Sequence, residues 1–192
     1  MVQSTFGAAL KDFTHVLSSG VFTQQGQESS IDLAVNDIVQ LLKQIQSSGN
    51  RIFLIGNGGS AAIAGHICTD LINVCKVSAQ VLHDAPQLTC FCNDYGYSDG
   101  YSKQLEILAR PKDLLIAISS SGESKNMINA VAVAQTKDMN IFTLTGFDGD
   151  NPLRKQGDWN YWLESQLYGQ LEIGHLFLLH HICDQMSRIT TL

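Results

Sequence analysis

The sequence predicts an α/β fold built on a parallel sheet, and three observations carry that expectation. Short apolar runs alternate with longer amphipathic stretches along the chain. The run DLLIAIS at 113–119 is apolar nearly throughout, as a strand buried on both faces of a parallel sheet is. Two of the runs are followed by glycine- or serine-rich loops that open helices.

Each element follows from its own pattern. Residues 2–18 read as a helix. Residues 28–47 read as a second, because Ile31, Leu33, Ala34, Val35, Ile38, Val39, Leu41, Leu42 and Ile45 form one broad apolar stripe. SSGNR breaks that helix before IFLI, the first strand (52–55). Gly56–Ser60 is a loop and 60–75 a helix. AQVL (79–82) is the second strand. Asp84–Cys92 and Ser98–Leu108 read as helices around the turn NDYGY. The third strand (113–119) leads to a helix over Glu123–Lys137, and NIFTLTG (140–146) is the fourth strand. DGDNPLRKQGD is a loop with one helical turn. NYWLE (160–164) is the fifth strand, and Leu167–Arg188 a long C-terminal helix. The whole chain, 1–192, is expected to be one domain, with 1–48 as an N-terminal helical extension used for oligomerisation.

Composition narrows the function. The net charge is −6 and no Lys/Arg cluster occurs, which argues against a nucleic-acid partner. No stretch of 18 apolar residues offers a membrane span. The N-terminal segment carries Asp12 and lacks a basic start followed by a long apolar core, so it reads as mature protein. The five cysteines are odd in number and scattered, which suggests reduced thiols and a cytoplasmic location. Cys90 and Cys92 read as small residues of a helix rather than metal ligands.

Two loops carry the chemistry. In LIGNGGSAAIAGH (54–66) three glycines fall within four residues at the mouth of a helix, an arrangement that suits an anion. GNGGSA also fits the G-x-G-x-x-A dinucleotide fingerprint, for which Asp84 could hold a ribose. The second loop, AISSSGESKN (117–126), decides between the two. Ser119, Ser120, Ser121 and Ser124 supply four hydroxyls where one would cap the helix, and Gly122 lets the backbone approach closely. Hydroxyls and free N–H groups at a positive helix end form a phosphate cradle. A dinucleotide fold needs no second cradle of this kind.

With these segments, the sequence resembles the sugar isomerase (SIS) domain family, and within it the phosphoheptose isomerase group. The resemblance runs from about Asn50 to Asp184. It rests on GNGGSAA (56–62), CNDYGYSDGYSKQLE (92–106), AISSSGES (117–124) and TLTGFDG (143–149), in that order. It implies a doubly wound, flavodoxin-like five-stranded parallel sheet with helices on both faces, usually assembled as a tetramer. It also implies that Ser119, Ser120, Ser121 and Ser124 hold a sugar phosphate, that Asn57, Gly58 and Ser60 line the sugar side, and that Asn93 and Asp94 lie nearby.

A set of histidines and carboxylates completes the reading. His66 and Asp70 stand at i, i+4 and share a helix face. The C-terminal helix YGQLEIGHLFLLHHICD places Glu172, His175, His180 and His181 in an apolar stretch, where each buried polar group needs a partner. His66, Asp70, Glu172 and His180 offer donors suited to Zn²⁺ or a related divalent ion. The resemblance aligns His66 and His180 with the group's metal and catalytic histidines. Asp70 stands where the best-known members have Glu, Glu172 where they have Gln, and Val74 where they have Arg, and no Asp precedes Glu172. Glu172 and His180 are eight residues apart, about 12 Å along a helix. One helix therefore presents both to one metal only with a distorted start, or the two come from different subunits. His175 and His181 are expected to be packing or hydrogen-bonding residues.

The implied reaction is aldose–ketose isomerisation of a phosphosugar through a cis-enediol. The expected substrate is sedoheptulose 7-phosphate, converted to a heptose 7-phosphate for surface-polysaccharide synthesis. Asp70 and His180 are the expected acid/base pair, with Glu172 as the alternative base. The expected assembly is a homotetramer with active sites at subunit interfaces. The rival is a non-catalytic SIS protein that binds a phosphosugar, like the replication-initiator-associating group.

Overall fold

The computed structural model describes residues 5–190. Helix α1 spans Phe6–Ser18, and residues 2–4 of the expected first helix lie outside the described residues. A hairpin follows, β1 (Val21–Gln24) and β2 (Gln27–Ser29), then α2 (Ile31–Ser48), β3 (Ile52–Gly56), α3 (Gly59–Asn73) and β4 (Ala79–Val81). The chain continues through α4 (Ala85–Tyr95), α5 (Gly100–Leu108), β5 (Leu114–Ser119), α6 (Lys125–Thr136), β6 (Asn140–Thr145), β7 (Trp159–Trp162) and α7 (Tyr168–Thr190).

The strands lie in the order β2-β1-β7-β6-β5-β3-β4. The five expected strands, β3 to β7, pair parallel throughout. Taken alone, their order is second-first-third-fourth-fifth, the flavodoxin-like winding, whose direction reverses between β3 and β5. Period-two alternation feeds a core on each face. Ile52, Leu54, Leu114, Ile116 and Ile118 face the core shared with α2, α3 and α7, while Phe53, Ile55, Leu115 and Ala117 face the one shared with α5 and α6.

The sheet has two strands more than expected. The β1–β2 hairpin extends it antiparallel to β7. Its two-residue turn is Gln25-Gly26, both at positive φ, the geometry that matches strand twist. Phe22 fixes it in place: it is 1% exposed and stacks on Phe142 at 5.8 Å. Helix α2 consequently starts later than expected, because Glu28 and Ser29 belong to β2 and Ser30 caps the helix by accepting from the Leu33 N–H. Asn93 to Tyr95, expected in a turn, form the last turn of α4, which Gly96 ends at φ 84°. All five cysteines are free thiols, and Cys75 donates to the Cys183 carbonyl across the α3–α7 contact. No described helix is long and apolar enough to cross a membrane.

Candidate functional site

The reversal point of a doubly wound sheet leaves a crevice beyond the strand carboxyl ends. Here β3 and β5 end side by side, Gly56 paired with Ile118, and release the two loops singled out in the sequence. Helix α3 starts from Gly58, whose φ of 54° and ψ of −122° suit glycine and which has no side chain to cap the first turn. Helix α6 starts from Ser124, which is extended and makes no side-chain capping bond. Both helices therefore leave N–H groups of their first turns open beside one space, with the positive ends of two dipoles.

That space is a cavity of about 250 Å³. Of the expected residues, Asn57, Gly58, Ser60, Ser119, Ser120, Ser121 and Ser124 all line it. Gly59, Ile118, Tyr168 and Glu172 complete the wall. The serine loop is pinned from within: Ser119 Oγ accepts from the Gly122 N–H at 3.2 Å, and Ser121 Oγ from the Glu123 N–H at 3.3 Å. Gly122 has a φ of 65°, and a Cβ there would run into the Asn151 side chain. A Cβ on Gly59 would collide with the Glu172 carboxylate, so glycine is what lets that carboxylate reach the α3 N-terminus.

Three contributors carry weaker sequence signals. Asn126, 3% exposed, pairs reciprocally with the Asn57 amide. Tyr97 donates to Asn57 Oδ1 at 2.8 Å. Tyr101 donates to the Gly56 carbonyl at 2.6 Å, and burial pushes its hydroxyl up to about 12. Tyr97 and Tyr101 lie within the CNDYGYSDGYSKQLE segment. Nothing local to that segment says which loop they would meet.

A second cluster lies across the α3–α7 contact. His66, Asp70 and His180 place donor atoms within 4.8 Å of one another. His180 Nδ1 stands 3.2 Å from Asp70 Oδ2, and the two Nε2 atoms of His66 and His180 are 3.1 Å apart. His66 is exposed and the other two are half-buried. Two imidazoles and a carboxylate so close together form a donor set that fits a divalent metal. Glu172 is not in this cluster; it lies in the serine cavity.

The other expected residues sit elsewhere. Asn93 and Asp94 are exposed on α4, bonded to one another at 3.0 Å, and neither lines the cavity. His175 is fully buried, with Nε2 3.0 Å from the Thr145 carbonyl, and burial holds its pKa down to about 4. His181 is exposed in a groove between α2 and α7 beside Asp32 and Gln185.

Comparison with known proteins gives a consistent result. A family model of the SIS domain matches residues 15–146. The phosphoheptose isomerase of Shewanella loihica is 35% identical over 188 residues, covering 93% of this chain and 93% of the relative. Among solved structures, phosphoheptose isomerase GmhA from Neisseria gonorrhoeae matches with a TM-score of 0.80 at 27% identity, covering 95% of this chain and 96% of that one. A phosphoheptose isomerase from Francisella tularensis matches with a TM-score of 0.81 over 95% and 94% of the two chains; at 24% identity it speaks for the fold.

Proposed function

The chain belongs to the SIS domain family, in its phosphoheptose isomerase group, and from that premise we propose that it isomerises sedoheptulose 7-phosphate to an aldose heptose 7-phosphate for surface-polysaccharide synthesis. The observation that carries the reading is the cavity at the sheet's reversal point, where two helix starts, four serines and one carboxylate converge.

The residues divide the work. Ser119, Ser120, Ser121 and Ser124, with the open amides of α6, hold the phosphate and orient the substrate. Asn57, Gly58 and Ser60 face the sugar. Glu172 accepts the proton from the carbon next to the carbonyl, giving a cis-enediol. The proton then returns one carbon over. With no ion bound, the Asp70 carboxylate accepts from His180 Nδ1–H and orients that imidazole, leaving Nε2 to exchange a proton with a sugar oxygen; with an ion bound, that Nε2 would be a ligand instead.

His66, Asp70 and His180 would hold Zn²⁺ or a related divalent ion. When bound, such an ion supplies Lewis-acid polarisation of sugar oxygens. Glu172 could join them only from a second copy of the chain, because along α7 it lies about 12 Å from His180.

This separation supports a homotetramer with active sites built across subunit interfaces, residues 1–48 acting as the oligomerisation extension. The surface agrees with that assembly. Ile173 and Phe177, one turn apart on α7, are 56% and 63% exposed. Phe6, Leu10 and Phe13 of α1 line a nearly wholly apolar groove with Leu167 and Ile173. Such a surface calls for a partner. The free thiols support a cytoplasmic place for the protein.

The decisive experiment incubates the purified protein with sedoheptulose 7-phosphate, with and without added Zn²⁺, and follows aldose phosphate formation. Product is expected; its absence in both arms, with the sugar phosphate bound, would replace this reading with that of a phosphosugar-binding protein. Sedimentation of Phe177→Glu is expected to shift the assembly toward smaller species and to reduce activity. A fully active monomer would refute the interface site.

A further inference from the structure

We propose that Asn126 and Tyr97 are positioning residues, which lock the Asn57 amide so that it presents an N–H, and not a carbonyl, to an oxygen of the sugar phosphate. The inference rests on the phosphosugar reading of the cavity.

The argument is a count of hydrogen bonds. A primary amide has two N–H donors and an oxygen with two lone pairs. Asn57 Oδ1 accepts from Asn126 Nδ2 at 2.8 Å and from Tyr97 Oη at 2.8 Å, so both lone pairs are taken. One N–H of Asn57 goes to Asn126 Oδ1 at 3.0 Å. One N–H is left, on a residue that lines the cavity. A half-turn of the Asn57 amide alone would set N–H against N–H and C=O against C=O at Asn126. The pair therefore ties the orientation of Asn57 to that of Asn126. In the orientation where Tyr97 Oη donates to Asn57 Oδ1, the group left over is an N–H, which selects an oxygen lone pair, whether carbonyl or hydroxyl.

Packing alone does not account for Asn126. The residue is 3% exposed in the first turn of α6, where an apolar side chain would fill the space without a buried amide to satisfy. Its bonds join α6 to the loop after β3, so one amide pair ties the phosphate loop to the sugar loop.

The test compares two ligands, sedoheptulose 7-phosphate and inorganic phosphate, on Asn126→Leu, Asn126→Ala and Tyr97→Phe. Leu keeps the branched four-atom skeleton, with more bulk, and Ala serves if Leu unfolds the protein; both remove the amide without adding charge near the phosphate. We expect KM and calorimetric Kd for the sugar phosphate to rise about five- to tenfold in the Asn126 variants, the scale of one hydrogen bond. kcat should change less than about threefold, and Kd for inorganic phosphate should stay within about twofold. Tyr97→Phe should move KM in the same direction by about threefold. Equal weakening of both ligands would mean that Asn126 merely holds the start of α6, and would overturn the inference. Unchanged sugar-phosphate affinity in the folded variants would overturn it too. Wild-type protein that binds the sugar phosphate without isomerising it would refute the enzyme reading and leave this inference to be judged on the affinities.

Discussion

The serine cavity and the His66–Asp70–His180 cluster draw on the same two helices, α3 and α7, but on different parts of them. The cavity takes the first turns: Gly58, Gly59 and Ser60 on α3, Tyr168 and Glu172 on α7. The cluster takes side chains further along, His66 and Asp70 on α3 and His180 on α7. The first site is made mainly of backbone and hydroxyls at strand ends, where helix N-termini leave N–H groups open. The second is made of side chains that meet only because two helices pack. The serines and open amides of the first are suited to holding a phosphate equally in every state of the reaction, while Glu172 in its wall and the side chains of the second are suited to acting on charge that develops during it.

Substitutions that split binding from turnover test this division. The largest effect is expected at the cluster. His180→Ala should lower kcat by about 10²–10⁴-fold, the usual cost of losing a positioned acid/base group. Its affinity for the sugar phosphate should fall far less. If affinity and turnover drop together, the two sites act as one.

Glu172→Gln sharpens the comparison, because it keeps the shape of the one carboxylate in the cavity wall and removes its basicity. Turnover should fall by about 10²-fold, with metal content unchanged on elemental analysis. Asp70→Asn should instead reduce metal content. The reverse pattern would return Asp70 to the role of base and give Glu172 to the metal.

Smaller effects belong to the cradle. Ser121→Ala or Ser124→Ala should weaken sugar-phosphate binding by about 1–3 kcal/mol, the range for a hydrogen bond to a charged group. kcat at saturation should be nearly unchanged. Calorimetry that finds both variants as tight as wild type would remove the serines from the phosphate site.

The same contrast explains what could be read from the sequence. The serine and glycine loops are local: residues within one short segment make the site, so GNGGSA and SSSGES were legible as they stood. The five parallel strands were legible for a similar reason, each a compact apolar run. The β1–β2 hairpin was not, because β2 is only Gln27–Ser29 and exposes two of its three residues, leaving no alternation to see. Glu172 was legible as a polar residue in an apolar helix, but not its company. Spacing along α7 shows that it and His180 cannot easily share a metal; only the packing of α7 on α3 sets Glu172 against Gly59. Asn126 was hidden differently. An Asn in the first turn of a helix is ordinary, and its partner lies 69 residues away.

Between the two sites on α7 sits His175, and its titration offers the finest test of how they are held in register. The ring is fully buried and donates Nε2–H to the Thr145 carbonyl at the end of β6, while Nδ1 has no hydrogen-bond partner among the described residues. Burial holds its pKa down to about 4 in the folded protein, against about 6.5 in an unfolded chain. The folded value is the lower, so between these values the unfolded chain binds a proton that the folded one refuses. Stability must therefore fall as pH drops from about 6.5 toward 4, and level off below, with a total loss of about 3 kcal/mol from this residue. His175→Gln keeps an N–H donor without a titrating ring. From pH 7 to pH 5, the unfolding free energy of wild type should fall by about 2 kcal/mol more than that of the variant. Urea titrations that give the two proteins parallel pH profiles would show that this clamp on α7 does not depend on a neutral imidazole.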